Sequence, residues 1–285
     1  MTKVSDVIPK SSPKLKVQWP NDARLAVLLT FDYQAEEGAP TLPDGRPNYQ
    51  EITERSYGGR YGIWRILDIL DKHKIKASFM TCGATAETYS ESVQEIVRRG
   101  HDLGAHTYHH EDIWKLNRDE ERAVFDKTIE ALVKVSGQRP TGWRSPKVRC
   151  SDNTLDLLAE YGFVWHSDFL NDDYPYTLRI GDKRIVEIPY TFSTDDAPLY
   201  NNPSSYPYGI PRNVLSVWKD EFHQLYEESK ETPKMMVICC HPYVTGRPSR
   251  ARVYDEFLTY LEGFPGLWFA RGIDMANWWL EHGER

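Results

Sequence analysis

Short apolar runs alternate with amphipathic stretches along the chain. Runs at 25–31, 77–81, 103–106, 142–145, 163–167, 185–189, 235–240 and 267–270 read as strands. Between them, the segments 62–73, 90–99, 118–136, 151–161, 211–229 and 251–262 repeat apolar residues at three and four spacing, the signature of a helix buried along one face. Seven or eight such units predict an α/β barrel in which helices surround a mainly parallel sheet. Punctuation agrees: Ser151-Asp152-Asn153 offers N-cap side chains, and Gly100 and Gly162 stand where helix C-termini need a left-handed residue. Two connections, 35–61 and 190–210, are long, and long ordered loops on a barrel shape the substrate cleft. With no repeat, low-complexity tract or linker, the expected organisation is a flexible arm over 1–20 followed by one domain over 21–285.

A chain of 285 residues is long enough to bury a sizeable core, and its nine Trp argue against disorder. A formal net charge of −7 gives no electrostatic footprint for nucleic acid or an anionic membrane. Cys82, Cys150, Cys239 and Cys240 have no CxxC spacing, so buried reduced thiols are expected. Residues 1–20 lack the apolar centre of a signal peptide and no segment is long enough to span a membrane, which predicts a cytoplasmic protein.

Candidate chemistry concentrates in Gly104-Ala105-His106-Thr107-Tyr108-His109-His110-Glu111-Asp112. His106 and His110 share a face if the backbone turns helical between them, and then reach one metal ion; hydrogen-bonded surface histidines are the alternative. In a barrel, active-site residues lie at the carboxyl ends of strands. Those ends carry Thr30-Phe31-Asp32-Tyr33-Gln34, then His106 with His110, then Arg144, His166 with Asp168, and His241-Pro242. Each alone is an ordinary strand end, but jointly they predict a site.

These residues resemble the polysaccharide deacetylase superfamily, the family-4 carbohydrate esterases and their amidohydrolase relatives. The motifs are Thr30-Phe31-Asp32, His106-Thr107-Tyr108-His109-His110, Arg144-Ser145-Pro146 and His241-Pro242. The resemblance implies a distorted (β/α) barrel of about seven strands and a divalent metal, usually Zn2+. It makes His106, His110 and Asp32 the candidate metal ligands. It also implies Asp32 as the acidic residue of the first motif, the base unless it serves as a ligand, Arg144 as orienting cation and His241 as general acid. His109, between the two ligand candidates, reads as a bystander. One departure is Gln34, which occupies a position where an aspartate ligand is usual; an amide oxygen is a poorer zinc ligand than a carboxylate. Asp32 itself, or Glu36 or Glu37, is then left to supply the charge, or the enzyme works without metal.

Asn171-Asp172-Asp173-Tyr174-Pro175-Tyr176, the stretch 241–248 and Gly58-Gly59-Arg60-Tyr61-Gly62 are similar to a cytoplasmic branch with allantoinases, cyclic imide hydrolases and peptidoglycan deacetylase-like members. That branch implies a homo-oligomer, often a tetramer. Asn171, Asp172, Trp143 and Tyr108 are the candidate substrate contacts, and Trp114, Trp143 and Trp165 are the candidate aromatic platforms for a sugar. The expected activity is hydrolysis of a small linear or cyclic amide or imide by metal-activated water with an acid/base pair. Two other readings stand beside it: N-deacetylation of an acetylated oligosaccharide or peptidoglycan, and an inactive barrel that binds a small ligand.

Overall fold

The computed structural model describes residues 2, 4–10, 17–200 and 210–283. Among the described residues, nine strands form one curled sheet: β1 (Leu25–Tyr33), β2 (Ser78–Thr81), β3 (Asp102–Ala105), β4 (Gly142–Trp143), β5 (Trp165–His166), β6 (Tyr176–Ile180), β7 (Lys183–Glu187), β8 (Lys234–Cys240) and β9 (Leu267–Ala270). The order is β6-β7-β5-β4-β3-β2-β1-β8. From β7 to β8 the seven strands are parallel, which matches the distorted barrel expected. β9 pairs with the first half of β1, from Leu25 to Leu28, while β2 takes the second half, from Thr30 to Tyr33.

Most predicted elements appear within a few residues of their expected bounds, and the helix Arg118–Ser136 coincides with its prediction. Its capping box joins Asn117 to Glu120, and Gly137 ends it in a left-handed conformation. Gly100 and Gly162 likewise have positive φ, at 80° and 72°. The sequence reading missed β6, which forms an antiparallel hairpin with β7 through Gly181-Asp182. A Gly-Asp pair between two strand-like runs is a hairpin signal, but β6 alternates buried residues with Thr177 and the exposed Arg179, which broke the apolar run. It also missed the helices Tyr49–Tyr57, Gly83–Thr88 and Gly272–His282.

Alternation along the strands divides the core into two layers. Leu25, Val27, Leu29, Phe31 and Tyr33 of β1 face outward into the main cluster beneath the helices. Ala26 and Leu28 face inward, with Met80, Trp165, Val186, Val237 and Trp279, in a second cluster that fills the barrel. Thr30 and Asp32 continue that inward row where the apolar plug ends. The C-terminal rim is therefore polar by parity alone.

Of the expected arm over 1–20, residues 1, 3 and 11–16 lie outside the described residues, as do 201–209 of the second long loop. Val4–Val7 is a short helix, Thr2 donates to Asp156, and Trp19 is buried with Nε1 donating to the Lys234 carbonyl at 2.8 Å. No helix among the described residues is long and apolar enough to cross a membrane. Cys82, Cys239 and Cys240 are free and buried, and Cys150 is free and half-buried.

Candidate active site

Five predicted residues meet at the C-terminal rim: Asp32 is the penultimate residue of β1, His106 and His110 follow β3, Arg144 follows β4 and His241 follows β8. Arg144, fully buried, donates from Nη1 to Asp32 Oδ1 at 2.7 Å and to Thr30 Oγ1 at 3.1 Å. The other Asp32 oxygen, Oδ2, lies 3.9 Å from His106 Nε2 and 4.0 Å from His241 Nε2. Burial would raise the Asp32 pKa, but Arg144, His106 and His241 outweigh it and hold the carboxyl at about 2.

The loop that carries the histidines corrects one expectation. No helix forms between His106 and His110; the segment bends, and Thr107 and His110 both adopt φ of 61°. Left-handed backbone at a β-branched threonine is strained, and such strain persists where the surroundings over-determine it. The bend achieves what a helical turn was expected to do: the two rings sit 4.9 Å apart at 64°. His106 Nδ1 donates to the Arg144 carbonyl at 2.7 Å, which leaves Nε2 with its lone pair, buried and without a hydrogen-bond partner. Nδ1 of His110 is also buried and unpartnered. Burial lowers both histidines, His110 well below its ordinary value with His106 adding to the effect, so both rings are neutral.

His241 has the opposite electrostatics. Its Nδ1 is 2.7 Å from Asp196 Oδ1, and Asp196 Oδ2 accepts from the backbone N–H groups of His241 at 2.9 Å and Thr245 at 3.1 Å. Burial disfavours the imidazolium, but Asp196, Asp195 and Asp32 together push His241 up to about 9. Asp195 accepts from the Tyr190 hydroxyl, and the Tyr190 ring lies 4.9 Å from the Arg144 guanidinium carbon. Burial and Asp196 raise Asp195 to about 6 against the pull of His241. Sequence reasoning missed Asp195, Asp196 and Tyr190. Their signal was an acidic pair inside the long loop assigned to the cleft.

Two sets of side chains bear on metal binding. Asp195, Cys239 and His241 place one ligand atom each within 4.8 Å of one another. That set suits protons better than a cation: His241 is cationic, Arg144 Nη1 donates to Cys239 Sγ at 3.3 Å, and burial raises the thiol well above its ordinary value. His106 and His110 offer neutral imidazoles: His106 Nε2 lies 3.9 Å from Asp32 Oδ2 with a carbonyl orienting the ring from behind, while the unpartnered Nδ1 of His110 faces Gly38. Neutral imidazoles are ligands for divalent metals. Gln34 is buried and its Oε1 has no partner.

The remaining predicted contacts fall elsewhere. Trp143 is fully buried and stacked on Phe125 at 3.9 Å; because Gly142 and Arg144 face inward, Trp143 must face the helices. Trp165 fills the barrel interior. Tyr108 packs on Ala84 and Ala131 and donates to Glu87 at 2.6 Å. Trp114 is half-buried beneath Lys147 and Arg149, at 5.2 and 5.3 Å. Asn171 and Asp172 line a cavity of about 540 Å3 with Tyr190, Glu221 and Met235; Asp32, His106, His110 and His241 are not among its walls. His109 is exposed and paired with Glu37 at 2.9 Å.

The polysaccharide deacetylase family profile matches residues 21–165, half the chain. A peptidoglycan deacetylase from Helicobacter pylori is 28% identical over 92% of this chain and 98% of its own. The structure of Puue allantoinase superposes with a TM-score of 0.85 at 27% identity, covering 96% of each chain. That of a probable polysaccharide deacetylase from Pseudomonas aeruginosa PAO1 gives the same TM-score, identity and coverage. With its motif residues gathered on the rim of this barrel, the chain belongs to the polysaccharide deacetylase family, hydrolases of carbon–nitrogen bonds other than peptide bonds.

Proposed function

We propose that the protein hydrolyses a small linear or cyclic amide or imide. The observation that carries this reading is Asp32 Oδ2 set between His106 Nε2 at 3.9 Å and His241 Nε2 at 4.0 Å, with Arg144 behind one side and Asp196 behind the other. Asp32, ionised at all ordinary pH, accepts the proton of the attacking water. His241, an imidazolium up to about pH 9, donates a proton to the departing nitrogen. Asp196 steadies that charge, and Arg144 prevents Asp32 from turning away.

His106 and His110 would hold a divalent ion, and Zn2+ is the metal that suits imidazole donors best. Bound there, it supplies Lewis acidity and a more acidic water, which suits a base as weak as Asp32. The reading includes a homotetramer, which rests on resemblance and is checked by sedimentation velocity.

The burial of Trp143 and Trp165 supports a small substrate, since neither is available as a sugar platform. N-deacetylation of an acetylated oligosaccharide or peptidoglycan is the second reading, favoured by the Helicobacter pylori relative matched along nearly its full length. The inactive binder has only Gln34 in its favour. Assaying N-acetylated chito-oligosaccharides, allantoin and cyclic imides with and without chelator separates the three. Turnover of allantoin or an imide supports the first, acetate release from the sugar replaces it with the second, and no turnover leaves the binder.

A further inference from the structure

One buried ionisable cluster takes no part in the steps above. His166 and Glu187 are cross-strand partners of β5 and β7, and Asp168 follows two residues after His166; all three are buried. His166 Nδ1 is 2.5 Å from Glu187 Oε2, and its Nε2 is 2.9 Å from Asp168 Oδ2. Glu187 Oε1 accepts from the backbone N–H groups of Asp168 at 3.1 Å and Phe169 at 2.8 Å. Asp168 Oδ1 accepts from the Ser145 N–H at 2.7 Å. Burial opposes a charge on His166, but Asp168 and Glu187 outweigh it and push the ring up to about 10. The cluster is therefore two carboxylates around an imidazolium. Apolar side chains fill such a space more cheaply, so the cluster needs a reason beyond filling it.

Its contacts converge on Arg144. Ser167, between His166 and Asp168, accepts from Arg144 Nε through its carbonyl at 3.2 Å and from Nη2 through its hydroxyl at 3.0 Å. Ser145, held by Asp168, is the next residue along the chain from Arg144. Both the side chain and the backbone of Arg144 are thus anchored to the segment that Glu187 fixes. With Nε and Nη2 taken up by Ser167, Nη1 is left to face Asp32.

We propose that Glu187, acting through His166 and Asp168, is a positioning residue that holds Arg144 in register with Asp32. The proposal rests on the catalytic reading of Asp32. Its test compares Glu187→Gln with the parent protein on whichever of chito-oligosaccharide, allantoin or succinimide the parent turns over. Expected is a fall in kcat of roughly 10- to 100-fold with KM changed less than about threefold. In an Arg144→Lys background the same change should cost less than about threefold, because coupled residues are not additive. Glu187→Asp, which keeps the charge, should recover part of the rate.

A readout without substrate accompanies it: 15N NMR of the Arg144 guanidinium, whose rotation about Nε–Cζ is slow when both ends are held and should quicken in Glu187→Gln. Unchanged kcat, full loss in the Arg144→Lys background, or unchanged guanidinium rotation each overturns the proposal. If Glu187→Gln does not fold, Asp168→Asn is read by the same measures. A parent protein inactive on all three substrates sinks the catalytic reading instead, and the guanidinium rotation still decides the positioning claim.

Discussion

The Arg144 backbone carbonyl accepts the His106 Nδ1 proton at 2.7 Å, while the Arg144 side chain holds Asp32 at 2.7 Å. One residue therefore fixes the tautomer of the candidate metal ligand and the orientation of the candidate base. Arg144→Ala should lower kcat by roughly 10²- to 10³-fold, the usual cost of removing a preorganised electrostatic partner. It should also destabilise the fold by about 3–5 kcal/mol, because Asp32 is left buried and unpaired. Arg144→Lys should recover little, since a single ammonium cannot reach Asp32 and both Ser167 acceptors together. Steady-state kinetics and urea titration check both; a fully active lysine variant would contradict the assignment.

Metal removal is the second test. Dialysis against chelator should abolish hydrolysis, and added Zn2+ should restore it. His106→Ala and His110→Ala should each lose bound zinc by elemental analysis. Full activity in metal-free protein would show that the two histidines contact substrate directly.

The pH profile follows from His241. Its pKa is raised to about 9, so the proton it donates is present below that value and activity should fall as pH rises through it. Asp196→Asn removes the facing charge, so the alkaline limb should move down by at least about one unit. Stability has the same sign. The contribution from His241 is fully present below its ordinary value near ~6.5 and is lost as pH rises through about 9. An alkaline limb that stays in place in Asp196→Asn would remove His241 from the acid role.

Gly38 tests the loop over the histidines. Its φ is 68°, and a Cβ there would lie 2.3 Å from His110 Nδ1. Gly38→Ala combines left-handed strain of about 1–2 kcal/mol with displacement of the His110 ring. Zinc affinity should fall more than thermal stability does, by calorimetric titration and thermal melts.

Trp143→Ala separates core from cleft. Loss of a buried indole stacked on Phe125 should cost about 3–5 kcal/mol. KM in the folded fraction should stay within about twofold of the parent. A large rise in KM without destabilisation would return Trp143 to the substrate.

The sequence by itself determined the barrel and the strand ends that carry Asp32, His106, Arg144 and His241. Strand periodicity and strand-end position are local properties, and the motif residues lie on the strands that display them. It did not determine that Trp143 faces the helices, because one residue of parity decides between cleft and core, and that parity shows only once Arg144 is seen pointing inward. Nor did it determine how His106 and His110 meet, because two left-handed residues replaced the expected helical turn and nothing local favours that backbone at Thr107. Asp196 behind His241 and Glu187 beside His166 come from segments 45 and 21 residues away. Only tertiary structure decides such pairings, because the charge that sets each histidine's protonation reaches it through space and not along the chain.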